Sequence, residues 1–329
     1  MAISSSVGII SDSADAVFPS VSIGSLHLGL SRLDVPFSNG FVNAFSAGGN
    51  GPPGLAVTTI EKFPYSLTGG TATDVGDLAL PRLAGANCSS TTEGFQAGGQ
   101  LGSPTAGTAD IQKFPFAISS GTGSDTNANL TAFQRDQRGH QSQTDGFVSG
   151  GNQTLIDKFP FAISSGTATD VGDLTYSTDN FVAWSTFEHG FMGIRAPEGQ
   201  INKFPFAIVS GSASEVGNIN PTVPHFGSSA QQSLTDAYAT SSPNQGTKIG
   251  KFPFAIAGGT SAEVGNLSTG AAYGMGTSTV SDGYQVGGVN PPAVNITNIQ
   301  KFPFSGSNLT SVTVGSLTTG AEDMHGHQT

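Results

Sequence analysis

Charged side chains are scarce in this chain. They make up 11% of 329 residues, with 12 Lys and Arg against 23 Asp and Glu, for a net charge of −11. That balance argues against a nucleic-acid partner, because phosphate contacts need clustered basic groups. Cysteine occurs once, at Cys88, which excludes an intramolecular disulfide framework. No segment approaches the roughly 18 consecutive apolar residues of a membrane span. The start, MAISSSVGIISDSADAV, has neither the basic n-region nor the long apolar run of a secretory signal. H-E-x-x-H, G-x-S-x-G and P-loop strings, cysteine clusters and paired catalytic carboxylates are all missing. Sustained apolar spacing of period 3.6 is missing too, so helical repeats are excluded. The abundant elements are 46 glycines and 22 phenylalanines, with 36% hydrophobic residues in all, enough for a core built of short strands and turns.

The phenylalanines recur in a fixed phrase: EKFPY (61–65), QKFPF (112–116), DKFPF (157–161), NKFPF (202–206), GKFPF (250–254) and QKFPF (300–304). Its lysines, Lys62, Lys113, Lys158, Lys203, Lys251 and Lys301, are 51, 45, 45, 48 and 50 residues apart. Such a period marks a solenoid, a propeller or an array. Cut at its glycines, the unit 139–174 yields GHQSQT, DGFVSGG, LIDKFPFA and TDVGDL. Four strands in that length are the content of one propeller blade.

The fourth-strand phrase occurs as SIGSL (22–26), DVGDL (74–78), DVGDL (170–174), EVGNI (215–219), EVGNL (263–267) and TVGSL (313–317), with a degenerate DTNANL at 125–130. Those seven copies predict an all-β, seven-bladed propeller forming one domain over 1–329. Its units are 27–78, 79–130, 131–174, 175–219, 220–267, 268–317, and a closing blade of 318–329 plus 1–26. In the closing blade the tail HGHQT would supply the first strand, matching GHQS of 139–142, and the head the other three. Six blades with unused ends are the fallback.

A second strand ending in Gly-Gly, as in FSAGG (45–49), FQAGG (95–99), FVSGG (147–151) and YQVGG (284–288), resembles the kelch-type propeller. The Gly-Gly is absent from two units, and Val-Gly-x-Leu stands where kelch repeats carry tryptophan. The wording GFVSGG…IDKFPFA…ATDVGDLT also resembles propeller repeats encoded by tailed phages of marine bacteria. That resemblance implies a virion or fibre-associated structural protein, non-enzymatic, without cofactor or metal. It would bind other virion proteins or a host surface glycan as part of a larger assembly, with no nucleic acid or membrane. The alternative is a bacterial surface or secreted carbohydrate-binding propeller, or the repeating subunit of an extracellular filament. An oxidase or lyase on this fold is the third reading. The copper oxidases on kelch-like propellers need two tyrosines, two histidines and a cysteine, a set not evident here.

Within the repeat, the two aromatic rings of KFPF are expected in the core. An acid stands twelve residues after five of the lysines, which predicts cross-strand ion pairs Lys62–Asp74, Lys113–Asp125, Lys158–Asp170, Lys203–Glu215 and Lys251–Glu263, with Thr313 facing Lys301. A ligand-binding ring of lysines is the competing reading. Departures from the repeat mark candidate binding surface: Trp184, Phe187, His189 and Arg195 in FVAWSTFEHGFMGIR, and His225 and Tyr238 in the 220–246 segment. Trp184 aligns with His140, so a core or channel-lining place competes with a sugar platform.

Overall fold

The computed structural model describes residues 42–328 except 53, 103–106, 134, 178–181, 195–198, 221–228, 243–245 and 291–293. The described residues lie within one compact unit and contain no helix. Their strands form a β-propeller of six blades, each built on four antiparallel strands from the ring centre outward, which follow one another in the chain in every blade but the first. Unit 131–174 is typical: Gln137–Gln141, Asp145–Gly150, Leu155–Pro160 and Thr169–Asp173 pair in chain order.

Among the described residues six blades form, the number of the fallback, and no seventh. His325–Gln328 pairs antiparallel with Asn43–Ala47, placing His327 opposite Phe45. Asn43–Ala47 pairs on its other edge with Thr59–Pro64, which pairs in turn with Thr73–Asp77. The C-terminal strand therefore closes the ring, as expected, but onto the first KFP repeat instead of onto the head. Both edges of Asn43–Ala47 are then occupied, and no ladder is left for another blade. The head strands expected at 6–11, 16–20 and 22–26 lie outside the described residues.

Each seam between blades repeats one aromatic triad. The ring at the third position of the second strand packs on the KFPF pair of the next blade: Phe45 on Phe114 and Phe116, Phe147 on Phe204 and Phe206, Tyr238 on Phe302 and Phe304. The closing seam does the same, with Tyr284 against Phe63 and Tyr65. Burying such a ring contributes ~1.5–3 kcal/mol, and each favourable ring pair adds ~0.5–1.5 kcal/mol.

The Val-Gly of the fourth strand serves the same seam. A Cβ at Gly76 would stand 2.4 Å from the Gly121 carbonyl oxygen in the turn of the following blade. That turn also covers the sheet edge. Thr122 bridges in parallel to Asp77, and Thr71, Gly166–Thr167, Ser212, Thr260 and Leu309–Thr310 do likewise on the other blades. The Ser/Gly/Thr segment between third and fourth strands thus covers the final one or two residues of every outer edge.

A buried polar latch recurs in five seams, at the residue before the lysine. Asp157 accepts from the Thr131 amide at 2.9 Å and its hydroxyl at 2.7 Å, and Asn202 repeats this with Thr175 at 2.9 and 2.7 Å. Gln112 holds Leu80, Gln300 holds Thr269, and Glu61 holds Thr318. Burial pushes the Glu61 and Asp157 carboxyls above their usual range, against the lowering effect of the threonine bonds.

The innermost strands meet so closely that side chains are excluded at some positions. A Cβ on Gly139 would fall 1.8 Å from the Asn87 carbonyl oxygen, a backbone atom that cannot step aside. Gly139→Val should therefore lose at least the ~1–3 kcal/mol typical of overpacking, read as a lowered urea midpoint with unchanged slope.

Candidate functional site

The innermost strands enclose a central cavity of about 130 Å³. Counting four aligned residues per inner strand from His325, Ala86, Arg138, Val182, Ser229 and Met275, the second ones, Gly326, Asn87, Gly139, Ala183, Ala230 and Gly276, line it together with Arg138, Tyr273 and Asp323. Of those six second residues only Asn87 has a polar side chain, and its amide donates to the Gly326 carbonyl at 2.6 Å. The fourth residues alternate around the ring as Gln328, Ser89, Gln141, Ser185, Gln232 and Ser278. Each glutamine oxygen accepts a neighbouring serine amide, as Gln141 does from Ser89 at 2.8 Å and Gln232 from Ser185 at 3.1 Å. Serine hydroxyls accept in return from Gln141 and Gln232 amides at 3.2 and 2.8 Å. This belt joins the blades around the ring.

At the opposite end, Ala84, Asp136, Tyr273 and Asp323 sit in the left-handed region at φ 53°, 59°, 57° and 52°. The Asp136 amide donates to the Ala84 carbonyl at 2.7 Å, and that of Asp323 to Tyr273 at 2.6 Å. Burial pushes the Asp323 carboxyl up to about 7, although Arg138 pulls it down. Among the described residues no three His, Cys, Asp or Glu gather in a way that could hold a metal ion.

The first and third residues of the inner strands point into the seams, and the reactive residue types are found there. His325 is fixed as the Nδ1–H tautomer: Nδ1 donates to the Ala47 carbonyl at 3.2 Å, and Nε2 accepts from the Gly85 amide at 2.8 Å. His327 donates from Nδ1 to the Cys88 carbonyl at 3.2 Å, accepts at Nε2 from Gln96 at 2.9 Å, and packs edge-on to Phe114. His140 donates to the Trp184 carbonyl at 3.1 Å and accepts from Ser149 at 2.8 Å. Burial lowers their pKa values to about 3, 3 and 4 for His325, His327 and His140, so all three are neutral at pH 7. The Cys88 thiol donates to the His140 carbonyl at 3.3 Å, and burial pushes it up to about 12, which removes thiolate chemistry at neutral pH.

The lysines hold different partners from those expected. None of Lys62–Asp74, Lys113–Asp125, Lys158–Asp170, Lys203–Glu215 and Lys251–Glu263 is an ion pair. Every third strand carries a register irregularity just before the pre-lysine residue, so Asp170 falls opposite Asp157 and Lys158 opposite Thr169. Asp74, Asp125 and Asp170 accept instead from the amide two residues on, at 3.0, 2.8 and 3.1 Å, and Glu263 pairs with Lys248 at 2.7 Å. The lysines turn the other way, to the acid that opens the second strand: Lys113–Glu93 at 3.0 Å, Lys158–Asp145 at 3.3 Å, Lys251–Asp236 at 3.1 Å and Lys301–Asp282 at 3.2 Å. All six ammonium groups also lie 5.4–6.0 Å above the second-strand ring of their own blade.

Lys158→Met keeps the stem on Phe147 and loses the pair and the ring contact. A loss of about 1 kcal/mol is expected, with coupling to Asp145→Asn and none to Asp170→Asn in double-mutant cycles.

Of the departures from the repeat, Trp184 is 3% exposed: its indole N–H donates to the Tyr238 carbonyl at 2.7 Å and its ring meets Phe252 edge-on. Tyr238 is 1% exposed, beneath Lys251. Both are seam residues and neither offers a binding surface: Tyr238 stands at the second-strand position that is aromatic in every blade, and Trp184 fills the inner-strand position that His140 and His327 hold elsewhere. Phe187 is exposed and shares a hairpin with the half-buried His189. Arg195 and His225 lie outside the described residues. The acids that open the second strands were not singled out from the sequence, although S/T-x-x-D/E marks them at 90–93, 142–145, 233–236 and 279–282.

No family model matches this chain, and neither does any curated protein. Among solved structures, one titled "Structure of YjhT" superposes with a TM-score of 0.63 at 12% identity, covering 82% of this chain and 97% of that one. The likeness shows the propeller fold alone.

Proposed function

We propose that this chain is a non-enzymatic attachment or assembly protein, fibre- or capsid-associated in a phage particle, binding other virion proteins or a host surface glycan. One observation carries the reading: His140, His325, His327, Cys88 and Trp184 each spend their polar groups on bonds that hold strands and seams together. The kelch-like Gly-Gly pattern and the marine-phage wording of the repeats support the same assignment. Blade edges covered at their ends favour partners at loops and rims over strand exchange.

Size-exclusion chromatography with light scattering, beside negative-stain imaging, tests this. Six-fold rings joined into trimers, spikes or filaments are the expected outcome. Rings that stay at 33.3 kDa and neither join virion proteins nor respond on a glycan array would reject it.

A further inference from the structure

The six lysine positions differ in one respect. In four blades the ammonium over the ring is completed by the chain's own carboxylate, 3.0–3.3 Å away. In the first and fourth blades the lysine and its ring are retained, with Lys62 and Lys203 each 5.4 Å above Phe45 and Phe191. The acid, however, is replaced by Asn43 and His189. These occupy the same register, opposite Pro64 and Pro205, as Asp145 does opposite Pro160. No ion pair to Lys62 or Lys203 exists among the described residues.

The fourth blade shows that only the acid has changed. Its hairpin keeps the hydroxyl cap of the others: the His189 amide donates to the Thr186 hydroxyl at 3.1 Å, as Asp145 does to Ser142 at 3.0 Å. Both replacements can donate a hydrogen bond, and both sites adjoin an exposed apolar residue, Val42 at 61% and Phe187 at 39%. Both lie on the face where first and second strands join, opposite the Asp323 end of the cavity, and they are half a ring apart.

We propose that Lys62 with Asn43, and Lys203 with His189, are binding sites for a carboxylate, supplied by an Asp or Glu side chain of a partner protein. Four blades of the same chain show the ligand chemistry that completes the position, an acidic side chain beside an ammonium already held over a ring. A charge-assisted bond there is stronger than a neutral one. The net charge of −11 opposes an acidic partner only at long range, since screening acts within about 8 Å at physiological salt. The carboxylate site stands on the comparison of the blades. Only the owner of the carboxylate, another structural protein, rests on the assembly reading.

The test is lysine ¹³C-methyl NMR of the full chain, assigned with single Lys→Arg variants and titrated with tetraglutamate. The Lys62 and Lys203 signals should shift, and those of Lys113, Lys158, Lys251 and Lys301 should stay. Asn43→Asp should abolish the Lys62 response and His189→Asp the Lys203 response, each by at least tenfold in apparent affinity. Both variants copy three of the other four blades, the fourth having Glu93, and should fold as the parent does. No shift at either lysine, equal shifts at all lysines, or a full response in both Asp variants would overturn the site. Shifts with trigalacturonate but none with tetraglutamate would overturn the protein partner while leaving the assembly reading to its own experiment.

Discussion

Truncation after Met324 is expected to abolish the cooperatively folded ring. His325–Gln328 is the innermost strand of the first blade, in register with four residues of Ala44–Ala47. Its loss also strands partners in both adjoining seams. The Gly85 amide loses His325 Nε2, the Ala47 and Cys88 carbonyls lose imidazole donors, the Asn87 amide loses the Gly326 carbonyl, and the Ser278 amide loses Gln328. A buried polar group left without a partner costs ~1–3 kcal/mol, and five of them approach the whole ~5–15 kcal/mol stability of a domain. Far-UV dichroism against urea should show a shallow transition in place of a sharp one. A peptide of the last six residues, MHGHQT, should restore the sharp transition in trans by strand addition. Removing residues 1–34 takes no strand from any of the six sheets, so that variant should still unfold as a closed ring. If the head deletion collapsed the protein and the tail deletion did not, closure by the C-terminal strand would be wrong.

The number of blades was legible in the lysines and obscured by the fourth-strand phrase. Each KFP marks a third strand together with the ring pair that fills one seam, so it counts interfaces. The fourth-strand phrase counts a single strand, and its extra copy, SIGSL at 22–26, lies outside the described residues. The tail was legible too, through its match of HGHQ to GHQ, but its pairing partner was not. An innermost strand carries the same pattern whichever blade it completes. The lysine partners were missed for a geometric reason. A fixed twelve-residue offset fixes a neighbour along the hairpin, yet the irregularity before Asp157 turns Asp170 away from Lys158. The candidate site depends on that misread partner: only with Glu93, Asp145, Asp236 and Asp282 in place does the substitution by Asn43 and His189 become visible.

Acidification should open the ring between about pH 5 and 4. His140, His325 and His327 have folded pKa values near 4, 3 and 3, against 6.5 when exposed. A depressed pKa gives stability that is present in full above pH 6.5 and is lost as pH falls towards the folded value, because the unfolded chain takes up protons that the folded chain refuses. Each histidine contributes a slope of about 1.4 kcal/mol per pH unit in that window. Raised carboxyls work the other way: Asp323, near 7, together with Glu61 and Asp157, binds protons in the folded state first and gains stability as pH falls. Asp323 cancels one histidine, leaving a net loss of about 2–3 kcal/mol per pH unit below pH 6, which Glu61 and Asp157 blunt as they take up protons above their ordinary range. The three histidines differ in how well they can adapt. Ser149 can rotate its hydroxyl to accept from a protonated His140, and Gln96 can present its oxygen to His327. The Gly85 amide facing His325 has no such alternative, since a backbone N–H only donates. Urea midpoints measured from pH 7 to 4 should therefore fall steeply below pH 6. His140→Gln should lower the midpoint at neutral pH and flatten the slope by about one proton. A stability that rises or stays level from pH 6 to 4.5 would mean that the seam histidines are already charged in the folded ring.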